Sequence, residues 1–455
     1  HSAAQYNLIQ NNTITGTGQS SIVVGSSKGV IQGNLIQYNL LEGSAVEDGI
    51  QFLENSDLPQ GDERAADISN LGTIIRNNVI RNHSENAIDL KGAARVVIEG
   101  NTIYGCVGSS NGSMAGWNRN SHGTITRGKG KSTRDVIIRH NVIYDSAPAI
   151  RAHQGYKIYN NTLVGNNRDY TGPNSGWTSA GHPAFSGIRQ KDEGDGRITI
   201  QNNITVGHNA VEAGLILTRG QNRTNHIDHN LYYNSKGVFF ADASPATGWE
   251  KLTLSMWRRR LEGYGTVTGN EGASLVADPL FVNAPEQPVG EHGQFDFRVR
   301  DGSPAIDAGG ALTRTEGAGS GNQVTVTDAG FFFDGYGVTE GDRVQIGANR
   351  PVRITAIDYG RNKITLDRSV SWSKGDWVTL PYAGAAPDIG ALTCPGNCTP
   401  ASPPSTPGER VVRGLQVLYA FEDGGGAVVR DVSGVSATLD LRIENPSVTT
   451  WSPHA

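Results

Sequence analysis

Apolar residues in the first half of this chain come in short bursts that alternate with polar ones, and the bursts recur. Residues 86–191 show the unit: a small residue, a short alternating strand, a turn, then a second strand near an Asn-x-Ile. Four starts of that unit are Ala87-Ile88-Asp89-Leu90-Lys91, Gly123-Thr124-Ile125-Thr126-Arg127, Ala149-Ile150-Arg151-Ala152-His153 and Gly187-Ile188-Arg189-Gln190-Lys191. Side chains along a strand alternate faces with period two. With Ile88 and Leu90 facing inward, Asp89 and Lys91 therefore face out. Aligned on the small residue, stacked rungs place Lys91, Arg127, His153 and Lys191 in one external column, with Arg151 and Arg189 beside it.

A second punctuation runs through the same region. Asn12, Asn34, Asn78, Asn101, Asn141, Asn161, Asn202 and Asn230 each open an Asn-x-apolar step, at intervals of 22, 44, 23, 40, 20, 41 and 28 residues. Most intervals are one or two turns of a period near 22 with loops inserted. A fixed β-type period with no helix per repeat predicts an all-β solenoid of parallel strands, its rungs stacked roughly 4.8 Å apart. The repeated Asn predicts a structural ladder, since an inward amide can bond both its own turn and its neighbours in the stack.

The solenoid domain is expected over residues 1–312. Polar loops at 56–70, 105–123 and 166–186 interrupt it, and Trp117 and Trp177 in the last two are placed to stack on sugar rings. Trp249, Leu252, Leu254, Trp257 and Leu261 predict an amphipathic capping helix near 245–265, with Arg258, Arg259 and Arg260 as its solvated face. Period-two runs and Gly-Asp turns over 313–382 predict an inserted small β-barrel-like module. A segment at 383–392 returns to close the solenoid domain. A Pro/Ser/Thr-rich linker spans 393–410, and 411–455 is the start of a further β domain.

Composition narrows the function. A formal net charge of −5 argues against a nucleic-acid binder, and no apolar run is long enough to span a membrane. A local cationic column in a mildly acidic protein suits an anionic ligand. Cys394 and Cys398 have spacing suited to a local disulfide and poor for zinc, which leaves Cys106 unpaired and points to a secreted or cell-surface protein. The chain starts at His1 and stops inside what reads as a new domain, so a piece of a longer protein is expected. An organic cofactor is not expected.

An anionic ligand that carries a uronate can be cleaved by β-elimination, which needs the carboxylate neutralised, a base for the C5 proton and help at the leaving O4. Lys91 is the candidate base; Arg127 and Arg151 push its pKa down while Asp89 pulls it up. Arg127 stabilises developing charge, His153 has the pKa range of a proton donor, and Arg151 can clamp a carboxylate. Arg189, Lys191 and Asp89 complete the substrate face. Glu47-Asp48 and Glu85-Asn86 precede Ile50 and Ile88 at identical offsets. On adjacent rungs they stack as an all-oxygen set, which suits Ca²⁺.

The repeat over about residues 1–240 resembles the right-handed parallel β-helix of the pectate-lyase-like superfamily, and this resemblance implies the handedness. Asp278–Val282, Phe297–Gly309 and Pro387–Ala391 resemble the closing segment of bacterial β-helix proteins. Gly414–Glu422 and Val429–Gly434 resemble the opening strands of a concanavalin-like or laminin-G-like sandwich, truncated here. Ile88–Lys91, Thr124–Arg127 and Ala149–Asn161 resemble successive rungs of the alginate lyase and chondroitinase B group. This last resemblance implies Lys91 as base, Arg127 as its assistant one rung on, and calcium bridging to the substrate carboxylate. The group's two glutamate ligands fall near Ser84 and Asn86, with Glu85 out of register. The expected function is a secreted polysaccharide lyase. The alternatives are a non-catalytic glycan-binding β-helix protein and a glycoside hydrolase, which needs two opposed carboxylates such as Asp89 and Asp192.

Overall fold

Three-residue strands separated by tight corners recur through the first half of the chain in a computed structural model. It describes residues 5–25, 31–43, 47–53, 70–106, 124–127, 133–146, 149–153, 155–166, 184–190, 197–208, 212–218, 225–244, 248–263 and 270–392, with two short strands at Val428–Val429 and Leu441–Arg442. Each turn contributes one strand to each of three parallel sheets. Ile74–Arg76, Val79–Arg81 and Ile88–Leu90 form one turn; Val97–Glu99, Thr102–Tyr104 and Ile125–Arg127 form the next. Sheet 1, which begins at Leu8–Gln10, has eight strands; sheet 2, from Thr13–Thr15, and sheet 3, from Ile22–Gly25, have nine each, the last strand of sheet 3 joining antiparallel. The fold is an all-β parallel β-helix.

The middle residue of each sheet 1 strand faces inward, so Ile36, Ile75, Ile98, Ile138, Ile158, Ile200 and Ile227 stack in register as one buried row. Removing such rows from water stabilises the fold by roughly 25 cal/mol per Å² of apolar surface. Between sheets 1 and 2 the chain turns through one left-handed residue per rung. These are Asn11, Tyr38, Asn77, Gly100, His140, Asn160, Asn202 and His229, with φ between 51° and 64°. The next residue carries the ladder: Asn12, Asn39, Asn78, Asn101, Asn141, Asn161, Asn203 and Asn230. Each Oδ1 from Asn39 onward accepts from both the backbone N–H and the Nδ2 of the preceding ladder Asn, at 2.9–3.1 Å. Asn34 and Asn202 are therefore not members. Asn202 is the left-handed residue itself, and Asn34 serves a different corner, where it accepts from Asn7.

Two of the three outer faces are buried by later parts of the chain. Six antiparallel strands between Thr313 and Thr379 form a small sheet, and a bridge from Thr315 to Val326 joins its first and last strands. That module packs on sheet 1: outward Leu35, Ile74, Val97 and Ile137 share a buried cluster with Val324, Phe331, Val344 and Ile354. Arg139 bonds Glu99 at 2.6 Å and Asp342 of the module at 2.5 Å, and Lys157 bonds Asp328 at 2.5 Å. On sheet 2, outward Tyr104, Tyr144, Val164 and Val206 pack against Phe281, Phe297 and Ile389. The return segment adds a rung edge there, with Gly390 N–H donating to the Asn202 carbonyl at 2.8 Å.

The capping region differs from its expected helix over 245–265. Gly248–Leu252 is a strand antiparallel to Phe239–Ser244, and the helix is Leu254–Gly263. Trp257 and Leu261, one turn apart, are buried in the solenoid core, Trp257 stacked on Phe240 at 5.6 Å. Arg258 is not solvated as expected: its guanidinium donates to the carbonyls of Glu271 and Ser274 at 2.6 and 2.9 Å. No helix among the described residues is long and apolar enough to cross a membrane.

Candidate functional site

Sheet 3 carries the expected site. Its inward row runs Ile22, Ile50, Ile88, Ile125, Ile150, Ile188 and Leu215. That row sets the register of everything else, because shifting one strand by a residue would turn its Ile outward. Thr124, not Gly123, consequently sits beside Ala87, whose N–H donates to the Thr124 carbonyl at 2.9 Å. Arg127 thus pairs with Leu90 rather than with Lys91. The external column expected from the small residues is broken at Arg127, one place out of step. Lys91 and His153 keep the same offset from their inward Ile. Arg151 lies in register directly against Arg189, and Asp89 lies between Gln51 and Thr126.

Outward does not mean exposed here. Asp89 is 4% exposed, Arg151 7% and His153 1%. The Lys91 ammonium meets the Asp89 carboxylate at 2.9 Å, and the Lys91 side chain is 30% exposed. Burial alone would lower the Lys91 pKa, but the Asp89 charge and hydrogen bond, with Asp48 and Glu85 beyond, hold it above the ordinary lysine value. The downward push expected from neighbouring cations is outweighed. Trp117, Trp177 and Lys191 lie outside the described residues, and Arg127 and Arg189 are described as strand positions only.

The acidic group sits on the adjacent rungs. Ile50 pairs with Ile88, so Glu47-Asp48 does stack on Glu85-Asn86. Asp48 is buried: its Oδ1 accepts from the Asn86 N–H at 2.9 Å and from Asn86 Nδ2 at 2.8 Å, and its Oδ2 accepts from Gln51 at 3.1 Å. Glu47 accepts from Ser20 at 2.9 Å. Burial, then the charges of Asp89 and Glu85, push the Asp48 carboxyl up to about 8. Burial and Asp89 push Glu85 up to about 7. Gln51 and Ser20 are partners that the spacing did not single out, although Gln51 occupies the position of Asp89 one rung earlier.

Carboxylates this close to one another hold either protons or a cation. The donor set fits a hard cation: it is all oxygen, it is in charge excess over Lys91, and Asn86 Oδ1 is buried without a hydrogen-bond partner. Among the described residues no three Asp, Glu, His or Cys side chains converge on one point, so a cation here would depend on that amide oxygen.

A sequence family described as "Right handed beta helix region" matches residues 3–183, the stretch that carries the acidic group, Lys91 and Arg151. No curated protein matches the chain.

Proposed function

We propose that this chain binds an anionic, uronic-acid-containing polysaccharide on the outer face of sheet 3 and cleaves it by β-elimination. The β-helix fold is compatible with lyases, hydrolases and binding proteins alike, so the reading has to come from the side chains. The observation that carries it is Arg151 in register against Arg189. That register sets two arginine positions side by side on one face, a pattern suited to an anionic ligand, and sheet 3 is the face that neither the module nor the return segment buries. Arg151, Arg189 and Lys191 hold the uronate, with Trp117 and Trp177 stacking on neighbouring sugars. Lys91, as the free amine, takes the C5 proton; the C4–O4 bond breaks, a C4–C5 double bond forms, and His153 protonates the leaving oxygen. Arg127, in register with Leu90 and not with Lys91, is assigned no part in these steps.

Calcium belongs to the same proposal: Glu47, Asp48, Glu85 and Asn86 would hold it, and when bound it would neutralise the substrate carboxylate. Export to the cell surface or medium suits such a substrate. A second reading, a non-catalytic glycan-binding protein, is favoured by the Lys91–Asp89 pair, which keeps the ammonium charged.

The test is the ultraviolet absorbance of the unsaturated uronate product on alginate, chondroitin, dermatan and pectate, with and without chelator. An absorbance rise that disappears in Lys91→Ala supports the lyase, and its chelator sensitivity tests the calcium. Retained glycan binding with no rise on any substrate selects the second reading. Absence of both binding and cleavage removes the anionic-polysaccharide reading.

A further inference from the structure

The molecule has a cleft of about 830 Å³ at the corner between sheets 1 and 2, lined by no residue of a sheet 3 strand. Three pieces of chain wall it: the solenoid at His140 and Tyr144, the segment 292–312, and the segment 379–392 that leaves the module. Its size lies in the about 300–1,000 Å³ range of small-molecule sites, which favour such junctions between substructures.

The walls are pinned, so the space cannot close by collapse. Asn160 Nδ2 donates to the carbonyls of Asp388 and Gly390 at 2.9 and 3.3 Å, and Asn202 exchanges bonds with Gly310 at 2.9 and 3.1 Å. Asp307 accepts from the N–H groups of Ala385 and Ala386 at 2.8 and 3.2 Å. Gly310 has no room for a side chain, because a Cβ there would lie 2.7 Å from the His229 ring.

The lining chemistry is aromatic, with no open positive charge. Phe295 meets Tyr144 edge-on at 5.8 Å and Phe297 lies 5.1 Å from it, while Tyr382 and Leu312 line other parts of the cleft. Asp296 is consumed by Arg298 at 2.5 Å, and Asp388 accepts from the Asp307 N–H at 2.8 Å. Burial, then Arg139, push His140 down to about 4, and burial with Arg81 lowers His292, so both imidazoles are neutral at physiological pH. An anion finds no open counter-charge here and meets the Asp307 carboxylate, whose partners are neutral N–H groups, whereas a flat ring finds edges and faces to pack on.

We propose that this cleft is a second ligand site, separate from sheet 3, that takes an aromatic group carrying no negative charge. It does not depend on the polysaccharide reading. The test uses the whole chain and the neutral fluorophore N-phenyl-1-naphthylamine, with its sulfonated relative 1-anilinonaphthalene-8-sulfonate as the anionic comparator. The neutral probe is expected to bind saturably at one site per chain, at least tenfold more tightly than the anionic one. Ile306→Trp and Leu380→Trp, which fill the cleft from opposite walls, are expected to weaken it at least tenfold with an unchanged melting temperature. Lys91→Ala is expected to leave it unaltered. Non-saturable binding, equal affinity for the two probes, or full binding in folded samples of both tryptophan variants overturns the proposal.

Discussion

Asp89 governs the protonation of the sheet 3 site. Its pairing with Lys91 holds the lysine above its ordinary pKa, so the free amine accumulates only on the alkaline side. A lyase using Lys91 as base should therefore gain rate with pH well past neutrality, and Asp89→Asn should move that rise to lower pH. The pH dependence of kcat/KM for the two proteins measures this, and identical profiles would remove Lys91 from the role of base. A second buried acid makes a prediction about stability. Glu271, wholly buried and bonded to the Tyr232 hydroxyl at 2.9 Å, is pushed by burial from 4.5 up to about 7. The folded chain holds this proton more tightly than the unfolded one. The stability it contributes is thus full below pH 4.5 and drains away as pH rises to 7, by about 3 kcal/mol. His83 and His140, each pushed down to about 4 mainly by burial, act in the opposite sense, losing stability as pH falls below 6.5. Comparing urea unfolding of the native chain and Glu271→Gln at pH 5 and pH 8 isolates the carboxyl. The glutamine variant should lose less stability between those two pH values, and equal losses would show that Glu271 titrates normally.

At the scale of single elements, the asparagine ladder is where one side chain does most for its rung. Asn141 accepts from the Asn101 N–H and Nδ2, and donates to the Ile98 and Arg139 carbonyls and to Asn161 Oδ1. Asn141→Ala strands two buried donors and two carbonyl partners, for a loss of about 2–4 kcal/mol. Asn12→Ala, at the less buried first rung, should cost under about 1 kcal/mol by the same reasoning. Denaturant melts of the two variants check the ordering, and equal costs would mean that the ladder adds little beyond local turn geometry. The ladder's existence was legible because a solenoid repeats one corner many times, but its membership was not. Where two Asn adjoin, as at Asn202-Asn203, only the left-handed turn decides which one faces in. Arg127 shows the same limit at sheet 3. Small residues precede the inward Ile by one position at Ala87 and Ala149, and the polar Thr124 fills that position in the intervening rung. Alignment on Gly123 therefore missed by one, while the Ile row would have set it correctly. The Arg151–Arg189 and Ile50–Ile88 pairings were legible because Ile marks the same position in both partners.

Across the whole molecule, what the local pattern leaves open is which faces meet. Period-two alternation makes Leu35, Ile74, Val97 and Ile137 outward residues on sheet 1, yet all four are apolar and buried. Their partner lies roughly two to three hundred residues further on, in the module between Thr313 and Thr379. Such long-range covering has no signature in local periodicity, apart from the unusual presence of apolar residues on both faces of a strand. The module is consequently part of the solenoid's core and not an appendage. Thr313 pairs with Val378, so its two ends are adjacent and residues 315–377 can be replaced by a short loop without stretching the chain. By connectivity alone, that deletion should be harmless. By packing it should not be, since it uncovers the apolar row and strips Arg139 and Lys157 of Asp342 and Asp328. The deletion is therefore expected to give aggregated chain, with soluble protein recovered only when the exposed row is also made polar. Soluble yield and the thermal melt of the two deletions decide it: a simple deletion that melts like the whole chain would show that sheet 1 needs no cover.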